Sequence, residues 1–132
     1  MGYLLDTNIV SDLVRHPTGP VAAHIRAIGE GQVCTSIIVA AELRFGAAKK
    51  GSPRLTRQLE AVLAAISVVA FEKPADTAYG ELRARLEAIG QRIGANDLFI
   101  AAHAMALGHT IVTDNAREFA RIHDLPQENW LR

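Results

Sequence analysis

Tyr3-Leu4-Leu5-Asp6-Thr7-Asn8-Ile9 decides how the rest of the chain is read. A short apolar run stops at a carboxylate, a hydroxyl and an amide follow, and apolar spacing resumes at Ile9. A buried parallel strand has this appearance when it delivers an acid to its carboxyl end. In open α/β sheets ligands bind in the crevice beyond those ends, which would put Asp6 at the mouth of a site. Asp, Thr and Asn are also good helix N-caps. Taken alone, the stretch fits equally well an Asp6 that only starts the next helix.

Moving outward, Ile9, Val10, Leu13 and Val14 mark a short helix that ends at His16-Pro17, because the residue before a proline is pushed out of helical geometry. After the Thr18-Gly19-Pro20 turn, Val21, Ile25 and Ile28 give a second helix, stopped by Gly29 and Gly31. Val33-Cys34-Thr35 reads as a brief buried strand, with Ser36 capping a helix over 37–50. Lys49 and Lys50 suit the negative end of that helix. Gly51-Ser52-Pro53 breaks the chain, Leu55, Leu59, Val62 and Leu63 form the next helix, and Ser67 to Phe71 reads as a full buried strand. Pro74 suits a first helical position. From Ala75 the helical spacing runs to Gly90, with a face fit for the core or for oligomer packing. Gly94 to Leu107 is an alanine-rich helix ended by Gly108. Thr110 to Thr113 is a strand that ends on Asp114 and Asn115. A short helix over 117–121 follows, and Asn129-Trp130-Leu131 would add an edge strand. This alternation predicts an α/β fold of three layers, a central parallel sheet with helices on both faces, in one domain over 1–132.

The 132 residues are 49% hydrophobic and 21% charged, which fits a folded domain rather than a disordered chain. Formal net charge is zero, so nothing draws the whole molecule toward nucleic acid, although a basic patch offset by an acidic pocket gives the same total. The single cysteine, Cys34, excludes an internal disulfide and a cysteine zinc cluster, and reads as a small buried hydrophobe. No apolar run is long enough to span a membrane and no signal peptide opens the chain, so a cytoplasmic protein is expected. Aromatic residues at 5% offer no stacking platform for bases, which makes Trp130 a core residue. His103 reads as a satisfied, partly buried histidine, and His16, His24, His109 and His123 as loop or surface residues.

The acids are few among so many apolar residues, and their placement is patterned. Asp6 ends the first strand, Asp114 and Asn115 end the strand at 110–113, and Glu42 and Asp97 fall in the opening turns of alanine-rich helices. In a parallel α/β sheet these positions share one edge. Gathered carboxylates repel one another and take up protons unless a cation holds them ionised. An oxygen-only set points to a hard ion, magnesium or manganese, which activates water against a phosphodiester. The plainer reading gives each acid a local role of its own. Asp6 caps, Glu42 and Asp97 favour helix dipoles, and Asp114 makes a turn. Each such role suffices singly; their common edge favours the cluster.

Four blocks in order, Leu5-Asp6-Thr7-Asn8, Ala40-Ala41-Glu42-Leu43 with Gly46, Ile93 to Asp97 with Ile100 to Ala104, and Val112 to Asn115 with Glu118-Phe119, resemble a PIN-domain ribonuclease of the VapC toxin type. The resemblance covers nearly the whole chain and implies a magnesium-dependent endoribonuclease with Asp6, Glu42 and Asp97 as its acidic triad. The fourth family position, often an aspartate, falls on Asn115. Asp114 and Glu118 are then candidates for a second ion or for positioning water. On this reading Asp6 and Asp97 bind the ion, and Glu42 orients or deprotonates water. Asn8 or Thr113 positions a ligand or phosphate, and Arg44 and Arg92 grip the RNA backbone, for which a solvated helix face is the alternative. The resemblance further implies a structured RNA substrate, transfer RNA foremost, a homodimer, and a cognate VapB-type antitoxin that alone contacts operator DNA. The competing expectation is a regulatory PIN-domain subunit that acts with a DNA-binding partner and cleaves little.

Overall fold

Tyr3–Leu5 forms β1, the middle strand of a five-stranded parallel sheet, in the computed structural model, which describes residues 2–132. The sheet order is β3-β2-β1-β4-β5, with β2 at Val33–Ser36, β3 at Ser67–Val69, β4 at Thr110–Val112 and β5 at Gln127–Glu128. Leu5 lies opposite Thr35 on one side and Val112 on the other. The chain winds outward from β1 through β2 to β3, then returns to the far side of β1 for β4 and β5. The winding reverses between β1 and β4, and the crevice at such a reversal is where open sheets bind ligands.

Leu4, Leu5, Ile111 and Val112 have no exposed surface, and helices pack over both faces of the sheet. Helices α1 (Thr7–Arg15), α2 (Pro20–Ile28), α3 (Ile37–Lys50) and α4 (Pro53–Ala65) form one group, in which Val14, Ala40, Ala47, Leu59 and Leu63 make a second small core. Helix α5 (Ala75–Ala88) packs along α6 (Ala95–Leu107), and the one-turn α7 (Ala116–Phe119) follows β4. Local chemistry sets the bounds. The Ser36 hydroxyl accepts the Ile38 N–H at 3.0 Å to start α3, and Gly51 closes it at φ 66°, a conformation that only glycine adopts freely.

Several expectations need correction. Ser67–Phe71 is not a full buried strand: β3 has three residues, pairs only with β2, and is half exposed because it lies on the sheet edge. Phe71 instead packs edge-on against Phe99 and His103. The last edge strand exists, but at Gln127–Glu128 rather than 129–131, where Asn129 Oδ1 accepts the Leu131 N–H in a turn. Pro74 precedes α5 as its cap instead of occupying its first position. Trp130 is buried beside Tyr3 and His24. Cys34 is buried, its thiol pushed up to about 11 by burial. His103, 2% exposed, has its Nδ1 2.8 Å from the Ser36 hydroxyl. No helix among the described residues is long and apolar enough to cross a membrane.

Candidate active site

Asp6 follows β1 and opens α1, so it caps that helix from the carboxyl edge of the sheet. Its Oδ1 accepts the Thr7 N–H at 2.8 Å as the helix cap, and its Oδ2 accepts the Thr113 hydroxyl at 2.7 Å. Thr113 follows β4, so the bond spans the sheet reversal. Its oxygen also accepts the Asn115 N–H at 2.9 Å. Capping thus fixes the carboxylate at the crevice instead of taking it away.

Glu42 lies in the second turn of α3, beyond the reach of the helix dipole, so a dipole role does not account for it. Two donors from other elements hold it: the Thr7 hydroxyl on Oε1 at 2.6 Å and the Asn96 amide on Oε2 at 2.9 Å. Asp97 stands in the first turn of α6. The Asn115 amide approaches its Oδ2 at 3.4 Å and bonds Glu118 Oε2 at 2.9 Å. Glu118 Oε1 in turn accepts the Gly94 N–H at the start of α6. Asp6, Glu42, Asp97, Asn115 and Glu118 are therefore gathered at one edge from separate segments of the chain.

The charges respond as an uncompensated acid nest must. Burial pushes the Asp97 carboxyl up to about 7, helped by its hydrogen bond with Glu118 and by repulsion from Asp6, Glu118 and Glu42. Asp6 is also raised, first by burial, against the pull of the Thr113 and Thr7 donors. Glu118 moves the other way, held ionised mainly by the Gly94 N–H. The donor set is all oxygen, with carboxylates that resist ionising together, and this suits a hard divalent cation. Among the described residues no three acidic, histidine or cysteine side chains form a ready-made ligand set.

Other expected site residues stand elsewhere. Asp114 turns to the chain's tail, its Oδ1 accepting from Asn129 at 2.8 Å and Arg132 at 3.3 Å, which keeps its carboxyl below the usual range. It does not face Asp97. Thr113 is fully buried and spends its hydroxyl on Asp6, so it positions that carboxylate and cannot touch a phosphate. Asn8 Oδ1 accepts the Asp114 N–H at 3.1 Å, bracing the turn after β4. Arg44 is bidentate to Glu60 on α4 and bonds none of the acids at the edge. Arg92 lies on the loop before α6, where its carbonyl accepts from Arg121. Sequence reasoning misses Thr7 and Asn96 as holders of Glu42. Each adjoins a residue that the sequence does single out, and that adjacency is the available signal.

A family model described as the PIN domain matches residues 3–125. Ribonuclease VapC2 of Rickettsia felis is 39% identical over 132 residues, covering 98% of each chain. The tRNA(fMet)-specific endonuclease VapC of Shigella flexneri is 34% identical over 129 residues, covering 97% of each. Among solved structures, VapBC2 from Rickettsia felis bound to a DNA fragment from their promoter matches at 35% identity. Its TM-score is 0.90, covering 98% of this chain and 99% of that one.

Proposed function

Since this chain belongs to the VapC branch of the PIN-domain family, we propose that it is a magnesium-dependent endoribonuclease, with manganese a workable substitute and transfer RNA its substrate class. The observation that carries the reading is the gathering of Asp6, Glu42, Asp97 and Glu118 at one sheet edge, with Asp97 raised by burial and by its acidic neighbours. Such a nest takes up protons unless a cation holds it ionised.

Asp6 and Asp97 would hold the ion, with Asn115 and Glu118 steadying Asp97 from behind. A bound divalent ion supplies charge neutralisation at the attacked phosphate and favours deprotonation of water. Glu42 is the group to take the proton of that water. Its two oxygens are aimed by Thr7 and Asn96, and it is the acid anchored from outside the Asp97–Glu118 pair. The transfer RNA assignment draws on the specificity named for the Shigella flexneri relative.

A VapB-type antitoxin is the proposed partner, and operator DNA would be reached only through it. An apolar cleft of about 300 Å³ runs between α1, α3 and α4, past Val14, Leu43 and Leu55, and opens on Thr7 and Glu42. An amphipathic segment seated there, tipped with an arginine, would meet the acids and oppose the ion. Self-association is proposed for the outer face of α3, where Ile37 and Phe45 are 40% and 67% exposed in line with Ala41.

Purified chain, stripped of partner, should cleave transfer RNA with magnesium and stop when chelator is added. Asp6→Asn should abolish cleavage while the fold survives, because the cap acceptor Oδ1 is retained. Absence of cleavage under every divalent ion tried returns the chain to the regulatory reading. Cleavage indifferent to chelator overturns the metal assignment.

A further inference from the structure

A cleft of about 330 Å³ opens between the end of α5 and the start of α6, lined in part by Ala95, two positions before Asp97. Leu86 and Ile93 give it an apolar floor, and Tyr79 bounds it, with its ring lying flat on Phe99 at a centroid distance of 4.3 Å. Arg83, Glu87 and Arg92 complete the lining. Arg83 donates to Glu87 at 2.9 Å and to the Tyr79 hydroxyl at 3.1 Å, while the Arg92 guanidinium forms no salt bridge among the described residues. Two cations against one carboxylate leave the cleft positive. Arg121, bonded to the Arg92 carbonyl, adds a third cation toward the acid edge. The cleft and that edge are contiguous along the chain: Ala95 lines the cleft, Asn96 holds Glu42, and Asp97 follows.

A polyanion drawn to a nest of carboxylates must take its affinity from cations outside the nest. Arg44 and Arg85 are spent on Glu60 and Asp124. Arg83 is likewise held by Glu87, so the Arg92 guanidinium, unpaired among the described residues, is the supply nearest along the chain to Asp97. RNA is read most readily through unstacked nucleotides whose bases meet aromatic or guanidinium planes, and the volume suits a small ligand. We propose that this cleft is a nucleotide subsite for the residue flanking the scissile phosphate. Arg92 takes its phosphate, and its base lies against the apolar floor and Tyr79, which Arg83 steadies through the hydroxyl. The inference rests on the ribonuclease reading above.

The test uses the full chain carrying Asp6→Asn, titrated with short single-stranded RNA by fluorescence anisotropy. Adding Arg92→Gln should weaken binding about tenfold and make the log–log salt dependence shallower by about 1. Ala95→Phe, which fills the cleft and removes no charge, should weaken binding by a similar factor and alter which bond the otherwise unmodified chain cuts. Arg54→Gln, an exposed cation on α4, should change neither. Equal affinity across these variants, or no RNA binding by the Asp6→Asn chain, overturns the proposal. A chain that cleaves RNA while the cleft variants match it loses the subsite but keeps the ribonuclease reading. A chain that never cleaves but binds RNA through this cleft overturns the ribonuclease reading and, with it, the placement of this nucleotide beside a scissile phosphate.

Discussion

At Asp97 the folded chain holds a proton up to about pH 7 that the unfolded carboxyl releases near its ordinary value of 3.8. Over that window the folded state binds the extra proton, so stability falls as pH rises and levels off above about 7. Asp97→Asn keeps the shape and removes the charge. With chelator present at pH 8 the variant should melt higher than the parent, by the equivalent of about 1 kcal/mol once solvent screening of a half-exposed group is allowed for. The gap should close as pH is lowered toward 4. A variant that melts lower at pH 8 would mean the hydrogen bonds to Asp97 outweigh its repulsion. The acids of this site are legible in the sequence because each interrupts an apolar pattern. Thr7 and Asn96 are not, since their partner Glu42 lies 35 and 54 positions away. The sequence also leaves the roles of Asp114 and Glu118 open. One turn sends the first to the tail and the second to Asp97, and periodicity carries no record of side-chain direction there.

Among the elements, α3 can be read to its bounds because a serine cap and a left-handed glycine mark its ends chemically. Strand β3 misleads because its apolar content resembles that of a central strand. Its edge position depends on pairing with β2, more than 30 residues earlier. Helix α5 suggests an oligomer face by its spacing, yet Ala75, Leu82 and Leu86 are turned into the core. Exposed apolar surface is offered instead by Ile37 and Phe45 on α3. Phe45→Lys should therefore abolish self-association in sedimentation while changing stability by about 0.5 kcal/mol or less, since Phe45 is exposed in the single chain. Unchanged association by this variant would move the interface to another face.

Across the whole molecule the α/β class follows from alternation, whereas the order of strands does not. Nothing in a linear pattern says where the winding reverses, and that reversal brings Thr113 to Asp6. The reversal is steadied by the segment that follows β4. The Glu128 carbonyl accepts the Thr113 N–H at 2.9 Å, and Asn129 and Arg132 hold Asp114 beside it. Asn129→Ala with Arg132→Ala, which frees Asp114 and leaves Trp130 buried, should keep helical circular dichroism, lower amide-exchange protection at Thr113, and cleave RNA at least tenfold more slowly, in line with a misplaced catalytic group. Full activity in that variant would show that the hold on Asp114 is dispensable. During translation, then, Asp6 emerges long before its brace is made. A chain only partly made cannot yet assemble the acid edge, so whatever chemistry that edge performs begins only once the last strand is in place.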